Sequence, residues 1–135
     1  MQTGKAVTAG LVGGVVLAVY EFIIHGLILG GTYAARAEVF RQDAPMFWFP
    51  IIAILMGIAA GLFFGKSRSA WAEGAKGGVS FGFWVGLLAF LAAFYNPLVF
   101  NGFPYFMSWV WGIVNWVGWL IVGAIFGAMY KPAAA

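Results

Sequence analysis

An all-α integral membrane protein, a bundle of four transmembrane helices, is what this sequence predicts, and three observations predict it. Hydrophobic residues make up 64% of the chain and charged residues 8%, and the mean hydropathy is +0.96; both lie far outside the soluble globular range. Four apolar runs are each long enough, at ~1.5 Å of rise per residue, to cross a hydrocarbon core of about 30 Å. The 135 residues are consumed by these runs and short connections, so the chain reads as one membrane domain, 1–135, with no separate aqueous domain. Any activity then sits between helices or at their ends.

The first span is predicted at about 7–29, and its face is set by residues four apart: Gly10, Gly14, Leu17, Glu21 and His25. Lys5 ahead of an apolar run imitates a signal peptide, with Ala35-Arg36-Ala37 as its cleavage site. The run is too long for that and carries Glu21 and His25, so a true first span is expected. A first outer loop follows at 30–46, in which 34–41 has the composition of a short interfacial helix. The second span is predicted at about 47–64 and ends in a short basic loop holding Lys66 and Arg68. The third is predicted at about 79–95, with Asn96-Pro97 stopping it and Asn101-Gly102 supplying a turn. Pro104 suits the first turn of the fourth span, predicted at about 105–129.

Orientation follows from the basic residues. Lys5, Lys66, Arg68, Lys76 and Lys131 fall on one side, whereas Arg36 and Arg41 fall on the other beside Glu38 and Asp43. By the positive-inside bias both termini are expected in the cytoplasm, and the location expected is a bacterial inner membrane. The pI near 9.5 then reflects topology and anionic lipid headgroups; no nucleic-acid partner is expected, because basic residues do not cluster on a soluble surface.

Small residues four apart strip side-chain bulk from a helix stripe and let a partner backbone approach. Gly10 and Gly14, Gly57 and Gly61, and Gly123 and Gly127 form three such stripes. The last two recur in the even-numbered spans, each ending at a lysine, Lys66 and Lys131. That recurrence predicts two helical hairpins related by a parallel repeat.

Glu21 and His25 are the only ionisable acid, base or imidazole groups within the spans, and such groups are costly at that depth unless partnered. At ~1.5 Å per residue, Glu21 lies about 5 Å and His25 about 10 Å to the outer side of the span's midpoint. Asn115 falls at a similar depth in the fourth span, so Glu21, His25 and Asn115 are predicted to form a polar intramembrane cluster, with Ser108, Tyr95 and Asn96 nearer the surface.

Four chemistries compete for that cluster. A protonated Glu21 acts as interhelical glue through Asn115 or His25; or Glu21 loads and releases a proton coupled to transport. A metal site needs three protein ligands, and one His with no Cys cannot supply them within one chain; no metal is expected. Haem held between two His25 side chains of a dimer is the last. Phosphate loops, nucleophile elbows and zinc-protease motifs are missing from the sequence, so no catalytic residue is assigned and the chain is expected not to be an enzyme.

Aromatic residues reach 19%, seven of them Trp, and crowd the outer side. An interfacial belt accounts for most. Trp116 and Trp119 lie too deep for a belt, so Trp109, Trp111, Trp116 and Trp119 are read as a surface for a hydrophobic ligand such as a quinone, or for a partner.

Four spans with one embedded Glu on the first helix resemble, in layout, the small multidrug resistance exporters, and that resemblance implies alternating proton and cation binding at Glu21. The run Glu21-Phe22-Ile23-Ile24-His25-Gly26, a short basic loop and a glycine-striped last helix also look like small four-span bacterial membrane proteins of unassigned function. Together these readings favour a non-enzymatic accessory or structural subunit of a larger membrane assembly, partnered by lipid and by other subunits or its own copies. The alternatives are a small proton-coupled transporter using Glu21, and a metal- or haem-binding protein using His25 in an oligomer.

Overall fold

The computed structural model describes residues 1–131, and all regular structure among them is helical. Helix α1, Thr3–Glu21, runs directly into a π-helical stretch, Phe22–Ile28. Then come α2, Gly30–Ala34; α3, Trp48–Lys66; α4, Gly74–Ala92; α5, Asn96–Val99; and α6, Tyr105–Met129. Four helical segments are long and apolar enough to cross a membrane: Thr3–Ile28, Trp48–Lys66, Gly74–Val99 and Tyr105–Met129.

Local chemistry explains where these segments start and stop. Pro50 occupies the first turn of α3, where its missing N–H would have had no helical partner. Gly74 adopts a φ of 69°, a left-handed conformation that turns the chain into α4; the third span therefore starts five residues before the predicted 79. Asn96-Pro97 does not stop that span. A 3₁₀ turn, Ala93–Tyr95, leads into α5, and Pro97 sits in its opening turn, so the chain leaves the helix only at Phe100. Asn96 donates from Nδ2 to the Ala93 carbonyl at 2.9 Å. The turn at Asn101-Gly102 has Gly102 at a φ of 75°, and Pro104 caps α6 from outside rather than filling its first turn. The interfacial helix expected at 34–41 is displaced: α2 occupies Gly30–Ala34, and the residues beyond it form turns.

The four long helices line up in the order α3, α1, α6, α4, with each packed along its neighbour in that row. Backbone contact makes both outer pairs. A Cβ placed on Gly14 would lie 2.7 Å from the Ile54 Cα, and one on Gly10 would lie 2.7 Å from the Gly57 carbonyl oxygen. The Gly10/Gly14 stripe of α1 therefore meets the Gly57/Gly61 stripe of α3. In the second pair, Gly123 and Gly127 of α6 meet a stripe that the sequence reading overlooked, Gly78, Gly82 and Gly86 of α4, which also receives the backbone of Trp116 and Trp119. Such interfaces gain van der Waals contact and exclude lipid without large side chains.

The central contact, α1 on α6, is of another kind. Gly13 faces the side chains of Val122 and Phe126, and Gly118 faces Leu17 and Tyr20. Tyr20 donates its hydroxyl proton to the Val114 carbonyl at 2.8 Å. At the end of the bundle that carries Lys5, Lys66, Lys76 and Lys131, buried Phe64, Phe81 and Phe126 close the space between helices, with ring centroids 5.2 Å apart for the first two. Trp71 and Tyr130 pack on the same cluster. This basic end holds the aromatic core of the molecule.

Candidate functional site

At the opposite end, α1 changes its hydrogen bonding. Leu29 donates its N–H to the Ile24 carbonyl, five residues back, at 2.8 Å, the signature of a π-helix, which is uncommon and is enriched at functional sites. The widened turn carries His25 in its middle and Glu21 at its entry. His25 Nε2 lies 3.3 Å from Glu21 Oε2. On the other side of the imidazole, Nδ1 is 2.5 Å from the Tyr33 hydroxyl, delivered by α2. Trp111 of α6 donates its indole N–H to the same hydroxyl at 2.7 Å.

One link has a set direction because its donor can only give, and the His25 links follow the tautomer in which Nδ1 accepts. An indole N–H can only give, so the Tyr33 oxygen accepts from Trp111, and its own proton is free to go to His25 Nδ1. His25 then carries its proton on Nε2, aimed at the Glu21 carboxyl. In that tautomer the hydrogen-bonded series runs one way: Trp111 to Tyr33 to His25 to Glu21. The final gap of 3.3 Å exceeds the usual N–H···O range of about 2.7–3.2 Å, making it the loosest link.

Aromatic rings enclose the series. The Tyr33 ring lies 5.9 Å from the imidazole in a stacked arrangement, Phe40 meets Tyr33 edge-on at 4.9 Å, and Phe103 packs on Trp111 at 5.2 Å. Burial pushes the Tyr33 phenol above its ordinary value of 10; the Trp111 hydrogen bond lowers it and the nearby Glu21 charge raises it further. Tyr33 and Phe40 escaped the sequence reading, and Phe103 was expected there only as part of the outer aromatic belt. Eight residues separate Tyr33 from His25, which in a continuous helix is about 12 Å along the axis, and the π turn and α2 bring the two together.

Enclosure is incomplete. The side chains of Glu21 and His25 remain 32% and 28% exposed, and Trp48 to Ile52, the opening turns of α3, are exposed throughout. Alongside Glu21, therefore, α3 stands away from α1. Asn115 sits one turn along α6 from Trp111, level with Glu21 in the antiparallel register of α1 and α6, yet no side-chain hydrogen bond joins it to either member of the pair. Ser108 is buried on the α4 side of α6, one turn from Gly112, which meets Phe90. Tyr95 is exposed, and Asn96 is engaged with Ala93. None of these three reaches Glu21 or His25.

The four tryptophans of α6 do not share one surface. Trp111 turns to α1 and Tyr33; Trp119 is buried. Trp116 packs on Phe83 and Phe90 and donates to the Phe83 carbonyl at 3.1 Å, while Trp109 packs on Phe90 and Phe94. At 3.6 residues per turn, positions 109, 116 and 119 fall within an arc of about 80° on the side that meets α4, and 111 lies across the helix from them. Among the described residues, no group of three His, Cys, Asp or Glu side chains gathers in one place, so a metal at Glu21 and His25 would need ligands from a second chain.

Comparison with protein-family models, with characterised proteins and with solved structures gives no match for this chain.

Proposed function

We propose that this protein is a non-enzymatic membrane subunit that works within a larger assembly, presenting the Glu21–His25 side of α1 to a neighbouring transmembrane helix. One observation carries the proposal: an ionisable pair within a membrane span is left about one-third exposed, on the side from which α3 stands away. Polar groups at such depth face a bundle interior or a partner, because exposure to hydrocarbon costs several kcal/mol. The bilayer proposed is a bacterial cytoplasmic membrane with both termini inside, supported by the gathering of lysines at one end of the helices. The matching glycine interfaces of α1 with α3 and α4 with α6 support the reading of the chain as two related hairpins.

The test is native mass spectrometry of the protein extracted in mild detergent, with a visible spectrum of the same sample. Companions at fixed stoichiometry, or a defined number of copies, are expected. They should persist with Glu21→Gln, which keeps the hydrogen-bonding shape, and be lost with Glu21→Leu. A monomer that is indifferent to both changes would sink the proposal. Absorbance from a bound haem, or extractable quinone, would assign the subunit a cofactor.

A second reading is favoured by the one-way hydrogen-bonded series. Tyr33 and His25 are arranged to hand a proton to Glu21, the device that a small proton-coupled transporter needs; it is also the role implied by the layout shared with small multidrug resistance exporters. Proton flux into proteoliposomes that is abolished by Glu21→Gln would select this reading over the first.

A further inference from the structure

The connection between α2 and α3, residues 35–47, has no regular helix, and connections of about 12 residues or more without one are commonly lids or binding loops. Its first half is closed on itself. The Tyr33 carbonyl accepts from the Arg36 N–H at 3.1 Å and from Gln42 Nε2 at 3.0 Å, so both ends of the segment 36–42 meet at one oxygen. Between them, the N–H groups of Val39 and Phe40 donate to the Arg36 carbonyl at 3.0 and 2.9 Å, and Gln42 Nε2 also donates to the Phe40 carbonyl at 2.6 Å. A surface loop with joined ends that supplies its own hydrogen bonds is an Ω-type unit, a class frequently functional.

This unit rests on the Trp111–Tyr33–His25 series. Phe40 is the ring it delivers, with its centroid 4.9 Å from that of Tyr33, 5.9 Å from Trp111 and 5.8 Å from Phe103. Elsewhere its attachments are slight. The Arg36 guanidinium carbon lies 5.7 Å from the Phe106 ring centroid, and a Cβ on Gly102 would lie 3.8 Å from Val39 Cγ2. Arg41 and Asp43 pair only with each other, at 2.7 Å, and stay largely exposed. Among the described residues, no backbone hydrogen bond ties residues 37–43 to another element, and no residue from 36 to 43 is fully buried. Segments with few buried contacts and exposed hydrogen bonds lie at the low end of local stability and open while the rest of the fold holds.

We infer that residues 36–43 form a lid over the Trp111–Tyr33–His25 series, with Phe40 as its plug and Gln42 as its latch, so that water and protons reach the Tyr33 hydroxyl from the adjoining aqueous side only when the lid lifts. Closed, the Phe40 ring keeps competing water from a hydroxyl that Trp111 and His25 already engage. Open, the same hydroxyl becomes the entry to His25 and Glu21. The inference rests on the geometry of the series and not on which of the two proposed uses the series serves.

The Trp111 indole proton reports the lid directly, because its bond to the Tyr33 hydroxyl must break and water must enter before it exchanges. Exchange into D₂O is followed by NMR on the full chain in detergent, with the Trp111 signal assigned by its loss in Trp111→Phe. The Trp71 indole, bonded to Ser67 Oγ at 2.9 Å at the opposite end of the bundle, is the internal reference. Exchange at Trp111 is expected to quicken about fivefold in Gln42→Ala, from loss of the latch hydrogen bonds, and about tenfold in Phe40→Ala, from loss of the aromatic contacts, with Trp71 unchanged. Phe47→Ala, which removes an exposed ring of the same connection, should match the native protein. If Phe40→Ala fails to fold, Gln42→Ala decides the matter. Native rates at Trp111 in both variants, or equal acceleration at Trp71 and Trp111, which marks loosening of the whole fold, would overturn the lid. The measurement needs neither a partner nor proton flux, so its failure is separate from the failure of either functional reading.

Discussion

The two halves of α1 solve opposite problems. From Gly10 to Gly14 the helix has no side chains on one stripe, and the backbone of α3 lies directly against it. From Glu21 to His25 it carries the most polar side chains of any span, α3 stands away, and the backbone loosens into a π-helix. Close backbone packing leaves one arrangement, fixed by hard contact; the polar half is held by a few directional bonds and keeps part of its surface open. The rigid half is a scaffold, and the open half is where the proposed partner or proton would be received.

The sharpest way to break the contrast is to put bulk into the rigid half. In Gly14→Leu, a side chain would be forced against the Ile54 Cα, 2.7 Å from where its Cβ must sit. Backbone cannot give way as a side-chain tip can, so a loss of about 3 kcal/mol, the upper end for overpacking, is expected. Thermal unfolding in detergent measures it. Gly31→Leu, with open space around that position, should leave the melting temperature nearly unchanged, and equal losses in the two variants would refute the packing argument.

The open half should respond differently, in chemistry more than in stability. Trp111→Phe replaces the indole with a smaller ring and removes the donor that engages the Tyr33 oxygen. A cost of about 1 kcal/mol is expected, together with a change in the ¹⁵N chemical shifts of the His25 ring as its tautomer preference relaxes. Unchanged shifts would mean that Trp111 does not bear on that preference.

The smallest effect expected is alkaline. Because the Tyr33 phenol is pushed above its ordinary value, the folded state holds that proton more tightly than the unfolded state. Its contribution to stability is complete below about pH 10 and is lost as pH rises through the folded value. Melting temperatures measured from about pH 9 to about pH 11 should therefore fall more steeply in the native protein than in Tyr33→Phe. Parallel slopes would show Tyr33 to be free of the network.

Much of this architecture was legible in the chain. The fourth span occupies the predicted 105–129, and the stripes at Gly10, Gly57 and Gly123 were read directly from four-residue spacing. The stripe at Gly78, Gly82 and Gly86 has the same four-residue spacing, but its first member lies outside the predicted span at 79–95, because α4 begins at Gly74. Tyr33 is a different case. It lies in a segment that composition marks only as loop, and its role arises from a π turn that no residue pattern announces. Asn115 shows the converse: depth along a helix placed it level with Glu21, but depth does not give hydrogen-bond geometry.

By itself, the sequence determined that four helices form and that two of its ionisable groups lie among them, because hydropathy and helical period are local properties that each segment carries alone. Which stripe meets which, how α1 unwinds at His25, and which hydroxyl meets its imidazole were decided only by tertiary structure. Those depend on close approach between residues distant in the chain, and contact of that kind has no period to read.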